Sequence, residues 1–556
     1  MLDLDSTKVS YFIVLFLGLQ TPSSVIAEDD IQREWNLREK AVQEEVQKEL
    51  SNTEPPIQLP TQEILPPPPI ESVCFPIDKI EINGFALPSA RILGQEYIGQ
   101  CVGQKGIAVY LRALNKNILA QGYVTTRAVL PEQELSSGIL KITIQEGRIE
   151  EVVFPNDYNQ FWSLAIPMNK GGLLNIRDLE QGVDQLGRLG SQDIKFDIEP
   201  GNKPGLSRVI AKVNKSKPWS LGMSLDDGGS DSTGVNQASV DLTMYNGLFI
   251  QDMITISASR DADQDNSAGI ENKSLNMSIP FGYWTVNFNM TTSDNTQEVN
   301  GAVQSFISSG DSIDRKLGVD HVFFRDNSIK ASWTMSLKTR ERRSYINDTE
   351  VEVQRRNLTN LELGANYRHY IKSSVLDLSM GIQQGVDLLG AEKVDVNAPS
   401  GAAQPDYRFY TIGSTLYHPF KMLGTPVSLS SQFRFQWAET SLYSLDWFSN
   451  GGRYTVRGFA SEDSLGAAHG WRFRNDVSIS LPGLPVSLYL GWDLGAVSGQ
   501  GAEGLSEKEL MGLTLGSKGG MFGFQYDVFI ARPFILYGPT AQNKCCESGI
   551  NLSWRI

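Results

Sequence analysis

From Ser487 to Gly495 the chain alternates strictly. Leu488, Leu490, Trp492 and Leu494 fall on one face, and Asp493 stands between Gly491 and Gly495 on the other, beyond Tyr489. Successive side chains of a strand point to opposite faces, so this pattern predicts a strand with one oily side and one wet side. The same period recurs in Trp219, Leu221, Met223, Leu225; in Ile329, Ala331, Trp333, Met335, Leu337; in Phe433, Phe435, Trp437; and in Phe522, Phe524, Tyr526, Val528, Ile530. Beyond the N-terminal 27 residues no stretch reaches the roughly 18 apolar residues a membrane helix needs, so any membrane residence is through strands. Strands cross a bilayer only as a closed barrel, because every backbone polar group there must be paired; lipid lies outside and a polar lumen inside. From Trp219 to Ile556, about 340 residues at about 20 per strand and connection predict on the order of 16 antiparallel strands. A sheet closed at that size leaves a channel.

The preceding third has a different rhythm. Glu28 to Thr53 is charged and free of proline, and Ile31, Trp35, Val42, Val46 and Leu50 are spaced mostly by four, which makes one apolar stripe on a helix. Pro55, Pro56, Pro60 and Pro66 to Pro69 then predict a stiff, extended linker that tethers the helix without packing it. Such a helix is either a mobile plug or a solvated spacer. Between Val73 and Gly147 strand signals (Ile77 to Ile82, Gly122 to Val129, Ile139 to Gln145) flank a helix signal at Ile107 to Ala120, the pattern of a small α/β or α+β unit. A second copy follows, with strands near Ile149 to Phe154, Ile194 to Ile198 and Arg208 to Val213 and a helix near Ile176 to Leu189. The expected organisation is a signal segment at 1–27, a plug-like helix at 28–53, a Pro-rich linker at 54–72, soluble modules at 73–147 and 148–216, and a barrel at 217–556 with a loop folded inward near 451–470.

Charge and cysteine narrow the compartment. A net charge of −15, with no Lys/Arg cluster interleaved with aromatics, argues against nucleic acid as a partner. The apolar stretch from Val9 to Leu19 and the short side chains before Ala27 read as an export signal, although Asp3 and Asp5 outweigh Lys8 where such segments are usually basic. No Cys near Ala27 offers a lipid anchor, so the destination is the periplasm or outer membrane. In that oxidising space Cys74 and Cys101 either form a disulfide, stabilising their module by roughly 3 to 4 kcal/mol through a loop of about 28 residues, or remain buried thiols. The adjacent Cys545 and Cys546 pair only with strain, or stay free.

Enzyme signals are poor. There is no GxxxxGK[ST] loop, no HExxH and no GxSxG elbow, and the four His, at positions 321, 369, 418 and 469, are scattered over different barrel segments. No catalytic, metal-binding or cofactor-binding residue is expected, and no nucleotide; a barrel hydrolase built from rim Asp and His is the enzymatic alternative. The more telling stretch is Gly451, Gly452, Arg453, Tyr454, Thr455, Val456, Arg457, Gly458, Phe459. A loop this rich in glycine can fold tightly inward and carry Arg457 to the lumen-facing Asp493, where a charge-assisted pair fixes it in the pore. In an aqueous lumen such a pair is worth about 0 to 1 kcal/mol, whereas removing one partner of a dehydrated pair costs roughly 3 to 5 kcal/mol.

These residues also carry a resemblance. Cys74 to Ile77, Ile80, Ile82, Cys101, Gly122 to Arg127, Leu130, Pro131, Gly138 and Glu146 to Ile149 resemble the first POTRA domain of the two-partner secretion transporters, the TpsB family. Leu225 to Gly229 with Ser232 to Gly234 is similar to that family's first barrel hairpin; Val456, Arg457, Gly458, Phe459 to its loop motif; and Tyr489, Gly491, Asp493, Gly495 to its strand motif. The resemblance spans nearly the whole mature chain. It implies a mainly β protein, a 16-stranded antiparallel transmembrane barrel preceded by a helix, a Pro-rich linker and two small α/β POTRA domains, with Arg457 contacting Asp493. It implies passage of an unfolded TpsA-type client, a haemolysin, adhesin or contact-dependent toxin, to the cell surface without ATP. Outer-membrane lipid, lipopolysaccharide and the barrel-assembly machinery are the other implied partners. The alternatives are a BamA-like assembly factor and a diffusion porin. Two departures stand out: the chain ends on Ile556 where barrel proteins usually end on an aromatic, and Gly491 stands where related barrels carry one.

Overall fold

The computed structural model describes residues 31–32, 34–44, 46, 56–61, 65–84, 93–155, 160–230, 234–262, 269–300, 304–534 and 546–556. The expected signal segment, Leu50 and Cys545 lie outside the described residues. From Trp219 onward the chain forms a closed antiparallel barrel of 16 strands, each paired with its neighbour in sequence. The last strand, Glu547–Arg555, closes on the first, Trp219–Asp226, through the pairs Asn551 with Asp226 to Arg555 with Gly222. The alternation becomes two walls. Leu488 and Leu490 point outward and are 46% and 47% exposed, while Asp493 on the lumen side is 0% exposed. Exposed leucine on one side and buried carboxylate on the other suits a wall with lipid outside and polar groups within.

One segment of that alternation departs from expectation. Phe522 is not a strand residue: it has φ 54° and, with Gly523 at φ 84°, makes the two-residue turn between Met521 and Phe524. Left-handed backbone at both turn positions matches the right-handed twist of the flanking strands, and this requirement outweighs the local period. The four His fall into structural roles. The His321 ring lies 4.0 Å from Trp284 and 5.7 Å from Trp333, His369 meets the Tyr367 edge at 6.0 Å, His418 Nδ1 is 2.6 Å from Ser374 Oγ, and His469 Nδ1 accepts from the Ala438 N–H at 3.0 Å.

Two small modules precede the barrel. In the first, Lys79–Asn83 lies parallel to Ile139–Gln145, which pairs antiparallel with Arg127–Val129, and the helix Gln104–Ala120 buries Ile107, Tyr110, Leu114 and Ile118 against them. The single strand expected from Ile77 to Ile82 is two. Phe75–Ile77 pairs instead with Gln100–Val102, which brings Cys74 to Cys101, and the two are disulfide-bonded. The strand expected from Gly122 shrinks to Arg127–Val129, because Gly122 has φ 94° and turns the chain against Asn175. The second module repeats the plan: Arg148–Val153 parallel to Leu206–Lys215, Gln192–Pro200 antiparallel to it, and the helix Ile176–Gly187 capped by the Asn175 side chain.

The linker is not a free tether. Leu65 is buried in the first module's core, Tyr97 donates to the Pro66 carbonyl at 3.2 Å, and residues 57–59 lie between the second module and the barrel turn at Asn327. That module also docks on the barrel: Asp184 pairs with Arg325 at 2.7 Å and Lys330 at 2.9 Å. Burial opposes ionisation of Asp184, yet Lys330 and Arg325 outweigh it and hold its carboxyl down at about 2.

Candidate functional site

Two elements fill the lumen. The first is the connection between the strands Thr425–Ala438 and His469–Ser480, which turns inward with Gly451, Gly452 and Gly458 at φ 107°, 93° and 101°. Left-handed backbone at three points lets the loop double back where side-chain-bearing residues would be strained. At its tip Arg457 is 1% exposed. Its Nε donates to Asp493 Oδ2 at 2.6 Å, its Nη2 to Asp493 Oδ1 at 2.8 Å, and its own backbone N–H to Asp493 Oδ2 at 3.1 Å. Asp476 adds a second carboxylate, 2.8 Å from Nη2. Burial disfavours the charged guanidinium, and the paired carboxylates of Asp493 and Asp476 offset that cost.

The glycines of the strand motif have a steric reason. A Cβ on Gly491 would lie 2.4 Å from Arg457 Nη2, and one on Gly495 would lie 2.7 Å from Asn450 Nδ2. On the next strand, a Cβ on Gly512 would lie 1.8 Å from the Arg457 carbonyl oxygen. The wall is therefore shaved down where the loop presses on it. Val456 and Phe459 complete the contact, packing with Leu510.

The second element is the helix at 34–44. Of the apolar stripe, its buried side keeps only Trp35 among the described residues. Trp35, Glu39 and Gln43 are the buried residues, whereas Ile31, Val42 and Val46 are only half-buried. The lumen wall explains the difference, since it offers polar partners to a polar helix face. Glu34 pairs with Arg342 at 2.7 Å, Glu39 with Arg472, Lys40 with Asp226 at 2.8 Å, and Gln43 Nε2 donates to Gln432 Oε1 at 3.0 Å. Trp35 Nε1 donates to the Ser444 carbonyl at 2.9 Å, and Arg38 to the Leu445 and Trp447 carbonyls at 3.1 and 2.7 Å. Among the described residues the helix thus touches the loop and five separate wall strands, the fifth through Ser312, which donates to Glu34 at 3.5 Å.

The first hairpin joins these parts. Asp226 accepts from Lys40 and from the Gly228 N–H at 2.9 Å, while Asp227 accepts from the Ile550 N–H of the last strand at 2.8 Å and pairs with Arg453 of the loop. Arg342, Gln432 and Arg472 had no role in the reading of the sequence, and Asp226 entered it only as part of the first hairpin. Each stands at a lumen-facing position, and a polar residue at that phase was the available signal.

A barrel filled by its own loop and helix, above paired small domains, is shared with known proteins. The family model described as haemolysin secretion/activation protein ShlB/FhaC/HecB matches residues 205–519, more than half of the chain. The chain belongs to this family. It is an outer-membrane transporter of two-partner secretion, and models of POTRA domains, one of them ShlB-type, match 75–147 and 148–200. Among its relatives is the outer membrane transporter CdiB-2 of Burkholderia pseudomallei, 32% identical over 506 residues, covering 87% of this chain and 86% of the relative. The hemolysin transporter protein HpmB of Proteus mirabilis is 26% identical over 533 residues, 93% of this chain and 91% of that one. In fold it is similar to CdiB from Escherichia coli, with a TM-score of 0.86 at 24% identity, covering 95% of this chain and 99% of that chain. The POTRA domains of such an outer-membrane protein face the periplasm.

Proposed function

We propose that this transporter takes one unfolded TpsA-type client, a haemolysin, adhesin or contact-dependent toxin, from the periplasm and threads it through the barrel once the helix has left the lumen. The observation that supports this best is the polar set of helix contacts. Glu39, Lys40 and Gln43 exchange protein partners for water without exposing a large apolar face, so the helix is soluble both in the pore and out of it. The loop stays, fixed by Arg457 and Asp493. Sheet edges of the POTRA domains, at Lys79–Asn83 and Gln192–Pro200, offer ladder groups to which an extended client adds as a strand. Client folding outside supplies the free energy, so no nucleotide is spent and no covalent chemistry is performed. Lipid and lipopolysaccharide surround the outer wall, and the barrel-assembly machinery inserts it.

The test is depletion. Loss of the chain is expected to remove one large exported protein from the surface and leave other barrel proteins at normal levels; a general barrel defect would identify an assembly factor instead.

A further inference from the structure

Two linker residues present their backbones to a cleft. Ile57 donates its N–H to Glu180 Oε1 at 2.7 Å, and its carbonyl accepts from Arg177 Nη1 at 3.3 Å. Two residues on, the Leu59 N–H donates to Asn327 Oδ1 at 3.4 Å and its carbonyl accepts from Asn327 Nδ2 at 2.9 Å. An extended chain turns the N–H and C=O of alternate residues to the same side, so 57 and 59 offer the cleft one edge of a strand. Pro60 biases Leu59 toward that extended form.

The cleft is made by two bodies. Arg177 and Glu180 belong to the helix Ile176–Gly187 of the second POTRA domain; Asn327 lies on the turn between the barrel strands Ser305–Arg325 and Ile329–Ile346. Both charged groups are buried and paired at 2.7 Å, Arg325 adds a second cation 3.2 Å from Glu180 Oε2, and Arg177 also donates to Asn327. These groups hold one another in place, so the cleft keeps its shape without the linker. Side-chain identity is read weakly: Ile57 is 51% exposed, Leu59 is partly buried against the domain's core, and the Gln58 amide donates to the Asn327 carbonyl at 3.1 Å from an exposed position.

We propose that this cleft docks an extended segment of the unfolded client, that residues 57–59 occupy it at rest, and that their displacement frees the helix at 34–44 to leave the lumen. The inference rests on the transporter reading above and deepens it. An unfolded chain carries unpaired N–H and C=O groups at every position, the chemistry this cleft takes, whatever its sequence. A folded or compact protein carries few. Arrival of the right class of substrate is thereby tied to unplugging.

The test uses the full-length transporter in a planar bilayer, with a synthetic peptide copying residues 56–61 and the same peptide N-methylated at the positions of Ile57 and Leu59. The unmodified peptide is expected to raise the open fraction of the pore by about fivefold to tenfold, the shift that competing away one or two hydrogen bonds produces. The methylated peptide, which has no N–H to donate there, leaves it unchanged. Asn327→Ala is expected to raise the resting open fraction by a similar factor and to narrow the difference between the peptides to what the Ile57 N–H to Glu180 supplies. Equal responses to both peptides, or none to either at millimolar concentration in a pore that conducts, overturn the assignment. A chain that never conducts strikes the transporter reading instead.

Discussion

The loop and the helix share one lumen and are held in opposite ways. The loop is fastened at both ends to the barrel, and its key cation sits in a closed pocket between Asp493 and Asp476, against a wall stripped to glycine at 491, 495 and 512. The helix is tied to the barrel only through the linker and the two POTRA domains, and its contacts are spread over Asp226, Arg342, Gln432 and Arg472 on four strands. When the helix leaves, water replaces it and those wall residues are hydrated. Were Arg457 to leave, Asp493 would remain in a pocket fitted to a guanidinium. Similar numbers of ion pairs therefore produce a fixture in one case and a removable stopper in the other, because the cost of breaking a pair depends on whether water can follow.

The largest effect is expected where water cannot follow. Arg457→Ala leaves Asp493 buried without its counter-ion, at a cost of about 3 to 5 kcal/mol, and client secretion falls to background while the loop becomes open to protease. Normal secretion in that variant would remove the pair from the account. Gly512→Ala tests the fit rather than the charge. Its Cβ meets backbone at 1.8 Å, so the loop must shift, and the same protease sensitivity is expected with a smaller loss of secretion. At the helix, Glu39→Ala leaves the buried Arg472 unpaired only while the helix is in place, and exit lets water reach it, so the expected readout is a rise of at least about tenfold in open-pore time with unchanged mobility of the folded barrel in electrophoresis. A loss as large as that of Arg457→Ala would erase the distinction between the two elements.

The smallest effect lies outside the lumen, at the POTRA–barrel joint. The Asp184 carboxyl is held at about 2, below the unfolded value of about 4, so its stabilisation is present above about pH 4 and lost as pH falls from there toward 2. With the side chain 38% exposed the effect is modest. Spin-label distances across the joint should hold steady at neutral pH and broaden below about pH 4, and Asp184→Asn should remove that dependence.

The barrel was legible because a bilayer leaves strands no other way to cross, and a period of two then assigns each residue to lipid or lumen. Asp493 was placed on the wet side by counting from Leu488, and the glycine-rich stretch around Arg457 marked a loop able to fold inward. The helix was misread on its face. Apolar periodicity predicts the buried side only when the neighbour is a protein core; here it is a polar wall, so Glu39 and Gln43 are buried and Val42 and Val46 are not. Proline in the linker suggested an unattached spacer, but the fixed backbone that keeps it from continuing the helix also makes it a ready partner for the side chains of Glu180 and Asn327. Neither contact leaves a trace in local sequence, since each joins residues more than a hundred positions apart.

Client secretion through two cysteine-stapled transporters, with Cys545 and Cys546 replaced by Ser, is the most direct test. Glu39→Cys with Arg472→Cys, whose native side chains meet only at their ends, is joined by a bis-maleimide that spans the same reach and staples the helix to the wall; Asn450→Cys with Gly495→Cys, where the backbones approach closely, staples the loop by a disulfide. The account predicts wild-type secretion through the loop-stapled barrel and none through the helix-stapled one, with both double-cysteine variants active when unlinked. Secretion past a stapled helix, or a block by the stapled loop alone, would contradict it.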